Sequence, residues 1–109
     1  MIPLIQDNRD AIVALCKRYG VAKLAVFGSA ARGDFDPETS DVDFVLEFLD
    51  YGPGVSNRFI DFADDLEALL ERDVDLLFES VVMDPDLLRE VQSTQEIVYR
   101  DPKGAEEAA

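Results

Sequence analysis

The spacing of apolar residues divides the chain into alternating helices and strands. Residues 4–19 carry apolar side chains at helical spacing and are followed by Gly20, a pattern that predicts a helix and its end. The apolar stripe of this helix consists of Ile12, Leu15, Cys16 and Tyr19. The short apolar runs at residues 22–27 and 42–48 predict two strands, the first of them buried.

The second half of the chain continues this alternation. A helix is predicted at residues 57–71 with Ser56 as its N-cap, followed by a third strand at 73–78. An Asp-Pro pair opens a further helix at 85–92, and residues 96–100 predict a short edge strand. This order predicts an α/β fold, with a small mixed β-sheet and helices mainly on one face. The other face, or one end of the sheet, is then open for a site.

Length and composition favour one compact domain. The chain has 109 residues and is 48% apolar, enough for one core. We expect this domain to span residues 1–100 and residues 101–109 to form a disordered tail. Cys16 is the single cysteine and lies in an apolar stripe, which favours a buried structural thiol. The absence of a disulfide pair, a signal peptide and a membrane-length apolar run leads us to expect a cytoplasmic protein without membrane contact.

The charge of the chain narrows the classes of partner. Acidic residues number 24 against 10 basic ones, for a net charge of -14. This balance disfavours direct binding to nucleic acid and fits a basic protein surface, or a ligand that arrives with a divalent metal. A role in keeping the protein soluble would by itself also explain this negative charge. The sequence contains no histidine, so histidine-based catalysis and histidine metal ligation are excluded.

Two carboxylates at the start of the second strand suggest a metal site. Asp41 and Asp43 are two residues apart, so on a strand both side chains point to the same face, opposite the apolar Val42 and Phe44. The two carboxylates repel, and Mg²⁺ or Mn²⁺ would relieve that repulsion. If the third strand lies beside the second, Asp75 completes a cluster of three carboxylates. Such a cluster can hold two metals for phosphoryl transfer.

The turn after the first strand has features of a phosphate site. Gly28 allows close approach of the backbone to an anion, and Ser29 adds a hydroxyl donor. Arg32 could clamp a phosphate or hold the carboxylate loop in place. Each of these features is common alone; their combination with the acidic residues is what indicates function.

These residues resemble a known family. The stretches GSAARGD, SDVDFVLEF and VDLLF resemble the minimal nucleotidyltransferases (MNT) of the polymerase-β-like superfamily, in particular the MNT partner of two-gene HEPN/MNT toxin–antitoxin pairs. The resemblance covers about residues 5–100. It implies that Gly28 and Ser29 bind the triphosphate of ATP, and that Arg32 matches the family's Arg-Gly. It also implies that Asp41, Asp43 and Asp75 hold the metal, with Asp75 helping to activate the attacking hydroxyl.

The resemblance further implies an activity and a partner. Such proteins transfer AMP from ATP to a tyrosine hydroxyl of a HEPN ribonuclease toxin and so act as its antitoxin in a hetero-oligomer. The chain departs from the family in its loop, because eleven residues separate Ser29 from Asp41, slightly more than is usual. Two alternatives stay open: a binding module that neutralises its partner by occlusion, and a small-molecule nucleotidyltransferase.

Overall fold

Four strands form one mixed sheet in the computed structural model, which describes residues 2–28, 31 and 41–102. The strands are β1 (Val21–Phe27), β2 (Val42–Phe48), β3 (Val74–Phe78) and β4 (Glu96–Arg100). The helices of this part of the chain are α1 (Pro3–Asp7), α2 (Arg9–Tyr19), α3 (Val55–Leu70) and α4 (Pro85–Thr94). A 3-10 turn, Glu79–Val81, follows β3. None of the helices in the described residues is both long and apolar enough to cross a membrane.

The strand order in the sheet is β3-β2-β1-β4. Strand β1 runs antiparallel to both β2 and β4, whereas β2 and β3 are parallel. The predicted mixed sheet is therefore confirmed, with β4 as the expected edge strand. Strand β3 forms the other edge, so its residues are only half-covered or exposed.

The two faces of the sheet carry cores of different size. The larger core joins α1, α2 and α3 to one face, where alternate residues of β2 are buried. Those β2 residues are Val42, Phe44, Leu46 and Phe48. The smaller core, on the opposite face, joins Val91 of α4 to Ala25, Phe27 and Val45. The prediction of helices mainly on one face is thus confirmed, and the less covered face is the one toward which Asp43 and Asp75 point.

The predicted first helix is divided at Asn8. The side-chain amide of Asn8 donates a 2.8 Å hydrogen bond to the carbonyl of Leu4, and the backbone of Asn8 leaves helical geometry with φ −104° and ψ 7°. Asparagine side chains compete in this way with the helical backbone, which is why apolar spacing alone did not show the break. The predicted end of the helix is confirmed, because Gly20 adopts φ 71° and its N–H binds the carbonyl of Cys16.

The start of the predicted central helix was wrong by two residues. Helix α3 begins at Val55, with Gly54 as its N-cap at φ 84°, so Ser56 lies inside the helix and is not its N-cap. The Asp-Pro signal at the next helix was right: the Asp84 carboxylate accepts a 2.9 Å hydrogen bond from the N–H of Asp86.

Cys16 is fully buried in the larger core, as expected for a structural thiol. Burial raises the pKa of this thiol to about 12, so it stays protonated at neutral pH. Because the thiolate is the reactive form, we predict that a thiol-specific chromogenic disulfide reagent modifies native protein very slowly at pH 8 and reacts completely after urea unfolding. Rapid modification of the native protein would contradict this assignment.

Candidate active site

The pairing of β2 with β3 brings two carboxylates side by side. In this parallel ladder Asp43 lies opposite Asp75. The antiparallel ladder on the other side of β2 places Phe27 opposite Asp43. The end of β1 therefore meets the start of β2 and β3 at one corner of the sheet. The condition attached to Asp75, that its strand be the neighbour of β2, is met.

Gly28 follows β1 at this corner in a left-handed conformation, with φ 69°. Two constraints restrict this position to glycine. Residues with a Cβ pay a steric penalty in that region of φ. In addition, a Cβ at Gly28 would stand 3.0 Å from Oδ2 of Asp43 and 3.7 Å from Oε1 of Glu90. The glycine therefore lets the backbone approach the Asp43 carboxylate closely.

The environment of Asp43 disfavours its charged form. Burial raises the pKa of Asp43 to about 6, supported first by a hydrogen bond with Asp75 and then by the negative charges of Asp75, Asp41 and Glu90. A carboxylate in this setting gains from any cation that binds it. The oxygen-only donor set of this corner fits Mg²⁺ or Mn²⁺.

Helix α4 adds two residues to this corner that the sequence analysis missed. Glu90 faces Asp43 and Gly28, and the Thr94 hydroxyl accepts a 3.2 Å hydrogen bond from the N–H of Gly28. A signal was present, because these positions share one face of the helix with the buried Val91 and the half-buried Leu87. The spacing i, i+3, i+4 and i+7 starting at Leu87 could have found them.

A cleft of about 430 Å³ opens at the same corner. Three carboxylates line it, from Asp43, Asp75 and Glu90. Its apolar lining comes from both faces of the sheet, because the cleft reaches across the edge strand β3. These apolar residues are Phe27, Phe59, Ala63, Val74, Leu76, Leu77 and Leu87. The cleft thus combines acidic groups with apolar walls, as ligand sites commonly do.

The predicted site residues have different outcomes. Gly28, Asp43 and Asp75 meet at the corner, while Ser29 and Arg32 lie outside the described residues. Asp75 is exposed, since β3 is an edge strand. Asp41 is also exposed, just before β2. Within residues 2–28, 31 and 41–102 no three acidic or cysteine side chains are grouped so as to hold a metal ion. The close carboxylates are therefore a pair here, and a third ligand stays a prediction.

The sequence matches the nucleotidyltransferase domain family over residues 9–99. This chain belongs to that family and is a minimal nucleotidyltransferase. The protein adenylyltransferase MntA of Thermococcus cleftensis is 42% identical over 66 residues, which cover 61% of this nucleotidyltransferase and 64% of that protein. One solved structure, provisionally assigned as a minimal nucleotidyltransferase, is 30% identical with a TM-score of 0.70 and covers 87% of this chain and 95% of its own.

A further likeness concerns a toxin–antitoxin complex. A chain in the solved complex of a tri-AMPylated Shewanella oneidensis HEPN toxin with an MNT antitoxin has a TM-score of 0.62 and covers 93% of this nucleotidyltransferase and 76% of its own length. At 19% identity this likeness shows the shared fold. The expected fold of a minimal nucleotidyltransferase is confirmed by these comparisons.

Replacing Gly28 by alanine is predicted to destabilise the nucleotidyltransferase more than the same change at Gly54. Both glycines have positive φ, at 69° and 84°, so both changes cost about 1–2 kcal/mol of backbone strain. A Cβ meets nothing within 4 Å at Gly54, whereas at Gly28 it presses on Asp43. Denaturant unfolding measures the difference, and equal losses for the two variants would show that the contact with Asp43 is unimportant.

Replacing Asp43 by asparagine is predicted to stabilise the metal-free protein at pH 7. Because the folded pKa of Asp43 is raised from 3.8 to about 6, the folded state holds this proton more tightly, and stability is lost as the pH rises through that window. The half-buried position reduces the effect, so we expect a gain of about 1 kcal/mol.

The control for this prediction is Asp61→Asn, which removes the same charge from an exposed position on α3. Thermal melting at pH 7 and pH 4 compares both variants with the wild-type protein. The advantage of Asp43→Asn should shrink at pH 4, where the folded carboxyl is already protonated. An equal gain for Asp61→Asn would assign the effect to net charge alone.

Proposed function

We propose that this nucleotidyltransferase is a metal-dependent protein adenylyltransferase. It transfers AMP from ATP to a hydroxyl, that of a tyrosine, on a HEPN-type toxin, and so acts as the antitoxin of that toxin. The observation that carries this proposal is the Asp43–Asp75 pair beside the left-handed turn at Gly28, in a member of a nucleotidyltransferase family. The name of the Thermococcus relative and the AMPylated toxin in the Shewanella complex support the same activity.

The proposed site residues divide into two groups by their role. Asp41, Asp43 and Asp75 hold Mg²⁺ or Mn²⁺, which supplies charge neutralisation for the phosphates of ATP. Gly28, Ser29 and Arg32 bind the triphosphate. The contribution of Gly28 is close backbone approach, because its own N–H is already bound to Thr94. The negative charges of Asp75, Asp41 and Glu90 around Asp43 also favour a cation in this place.

The proposed reaction is a substitution at the α-phosphorus of ATP. The acceptor hydroxyl oxygen bonds to that phosphorus, the bond to the bridging oxygen of the β-phosphate breaks, and pyrophosphate leaves. The proton of the hydroxyl passes to a carboxylate oxygen, for which we propose Asp75. This residue is exposed on the edge strand β3, where a hydroxyl from another protein can reach it.

A partner protein is the acceptor that fits the surface best. The cleft extends over the edge of β3 and is therefore accessible from outside the sheet. With 24 acidic and 10 basic residues, the chain attracts a basic protein and repels free nucleic acid. We therefore propose a hetero-oligomer with the HEPN-type toxin and no direct contact with nucleic acid or membrane.

Occlusion of the toxin without catalysis is the second candidate, and the same acidic surface favours it. Docking to a basic ribonuclease by charge complementarity needs no chemistry at all. Under this alternative the carboxylate pair contributes charge only. The two candidates therefore predict different results when one carboxylate of the pair is removed: catalysis would be lost, whereas occlusion would persist.

Asp75→Asn is predicted to abolish AMP transfer and leave binding of the toxin intact. The chain is incubated with ATP, Mg²⁺ and the protein encoded by the neighbouring gene, and intact mass spectrometry counts the adenylyl groups added. Loss of a proton-accepting carboxylate lowers such rates by about a hundredfold or more. Asp64→Asn, which removes the same charge from an exposed position of α3, should transfer normally.

The outcomes separate the candidates. Full inhibition of the toxin by Asp75→Asn, without AMP on the toxin, would favour occlusion. Modification of an aminoglycoside or another small molecule by the isolated chain would instead identify a small-molecule nucleotidyltransferase and contradict the protein acceptor.

A further inference from the structure

The pairing of β1 with β4 ends at the turn that follows β1. Ala25 lies opposite Ile97 and Val26 opposite Glu96 in this antiparallel ladder. If this register is continued for two residues beyond Val26 and two residues before Glu96, Gly28 comes opposite Thr94. Thr94 is the last residue of α4 and not part of β4, so its backbone carbonyl is not a ladder acceptor for Gly28.

The hydroxyl of Thr94 takes the place of that missing acceptor. The N–H of Gly28 donates to Oγ1 of Thr94 at 3.2 Å. The hydroxyl proton is committed elsewhere, because Oγ1 donates to the carbonyl of Glu90 at 2.6 Å. A threonine hydroxyl has one proton and two lone pairs, so Oγ1 must face Gly28 as an acceptor. The hydrogen bond to Glu90 thereby orients the hydroxyl so that a lone pair of Oγ1 faces the N–H of Gly28.

Both peptide groups of Gly28 are held at the same time. Its N–H is bound to Thr94, and its carbonyl accepts a 3.0 Å hydrogen bond from the N–H of Ala31. Gly28 is buried, so an unbound N–H there would lose its hydration without compensation. The two hydrogen bonds therefore fix the peptide groups on both sides of Gly28. They hold this residue in its left-handed conformation, with φ 69°, close to the side chain of Asp43.

We propose that Thr94 is a positioning residue for nucleotide binding. It anchors the Gly28 turn to α4, and α4 is in turn fixed to the sheet by Val91 packed on Phe27 and Val45. Small movements of a phosphate-binding backbone weaken its contacts strongly, so the end of this helix determines how well the turn receives the triphosphate. This inference rests on the proposed role of Gly28 in binding ATP.

The test compares Thr94→Val with Thr94→Ser. Valine has nearly the shape of threonine but neither donates nor accepts, whereas serine keeps the hydroxyl. We expect Thr94→Val to raise the dissociation constant of Mg-ATP about tenfold, and Thr94→Ser to stay within about twofold of the wild type. Ile12→Val, in the larger core on the other face, controls for a general loss of stability.

Hydrogen exchange at the Gly28 amide tests the anchor without reference to the reaction. In Thr94→Val this amide should exchange at least about ten times faster, with protection retained in Thr94→Ser and Ile12→Val. Unchanged protection in Thr94→Val overturns the proposal, as does an equal loss of ATP affinity in Ile12→Val. If wild-type protein neither binds nor transfers nucleotide, the proposed function fails, while the exchange data still decide whether Thr94 holds the turn.

Discussion

The repulsion between Asp43 and Asp75 is the constraint on which the site depends. The parallel register of β2 and β3 places Asp43 and Asp75 opposite each other, and their backbone positions cannot separate without a shift of register. Such a shift would move the buried Phe44 out of the larger core. The hydrophobic effect therefore holds together a pair of like charges that would separate if free. In the function proposed above, this repulsion would favour the binding of a cation and of the phosphates that accompany it.

The two faces of the sheet differ in how much of the apolar core they carry. On one face, α1, α2 and α3 bury the larger core and supply most of the apolar contact. On the other, α4 covers the sheet through a small core and leaves a cleft open at Asp43 and Asp75. Helix α4 is more than a cover, because Glu90 and Thr94 bring a carboxylate and a hydrogen-bond acceptor to that corner.

Local patterns predicted what depends on local structure. The alternation from Asp41 to Phe48 determines which side chains of β2 face the core, and it needs no knowledge of the rest of the fold. The place of Asp75 depended on a condition, strand adjacency, that no local pattern could supply. Its exposure followed from the position of β3 at the edge, a property of the whole sheet.

Other features needed information that the periodicity of a single element does not contain. The break at Asn8 arises from a side-chain hydrogen bond that competes with the helical backbone. Glu90 and Thr94 acquire their meaning only when α4 is seen to lie across the end of β1. The family resemblance added the reaction and the partner, which composition and spacing alone did not specify.

The most direct measurement is the melting temperature of the nucleotidyltransferase with Mg²⁺ alone, with ATP alone and with both. A ligand that binds only the folded state must raise the melting temperature. If the Asp43–Asp75 pair binds a metal together with the triphosphate, millimolar Mg-ATP should stabilise the protein by several degrees, and more than the two single additions combined. This stabilisation should be lost in Asp43→Asn. A melting curve that millimolar Mg-ATP leaves unmoved would contradict the account.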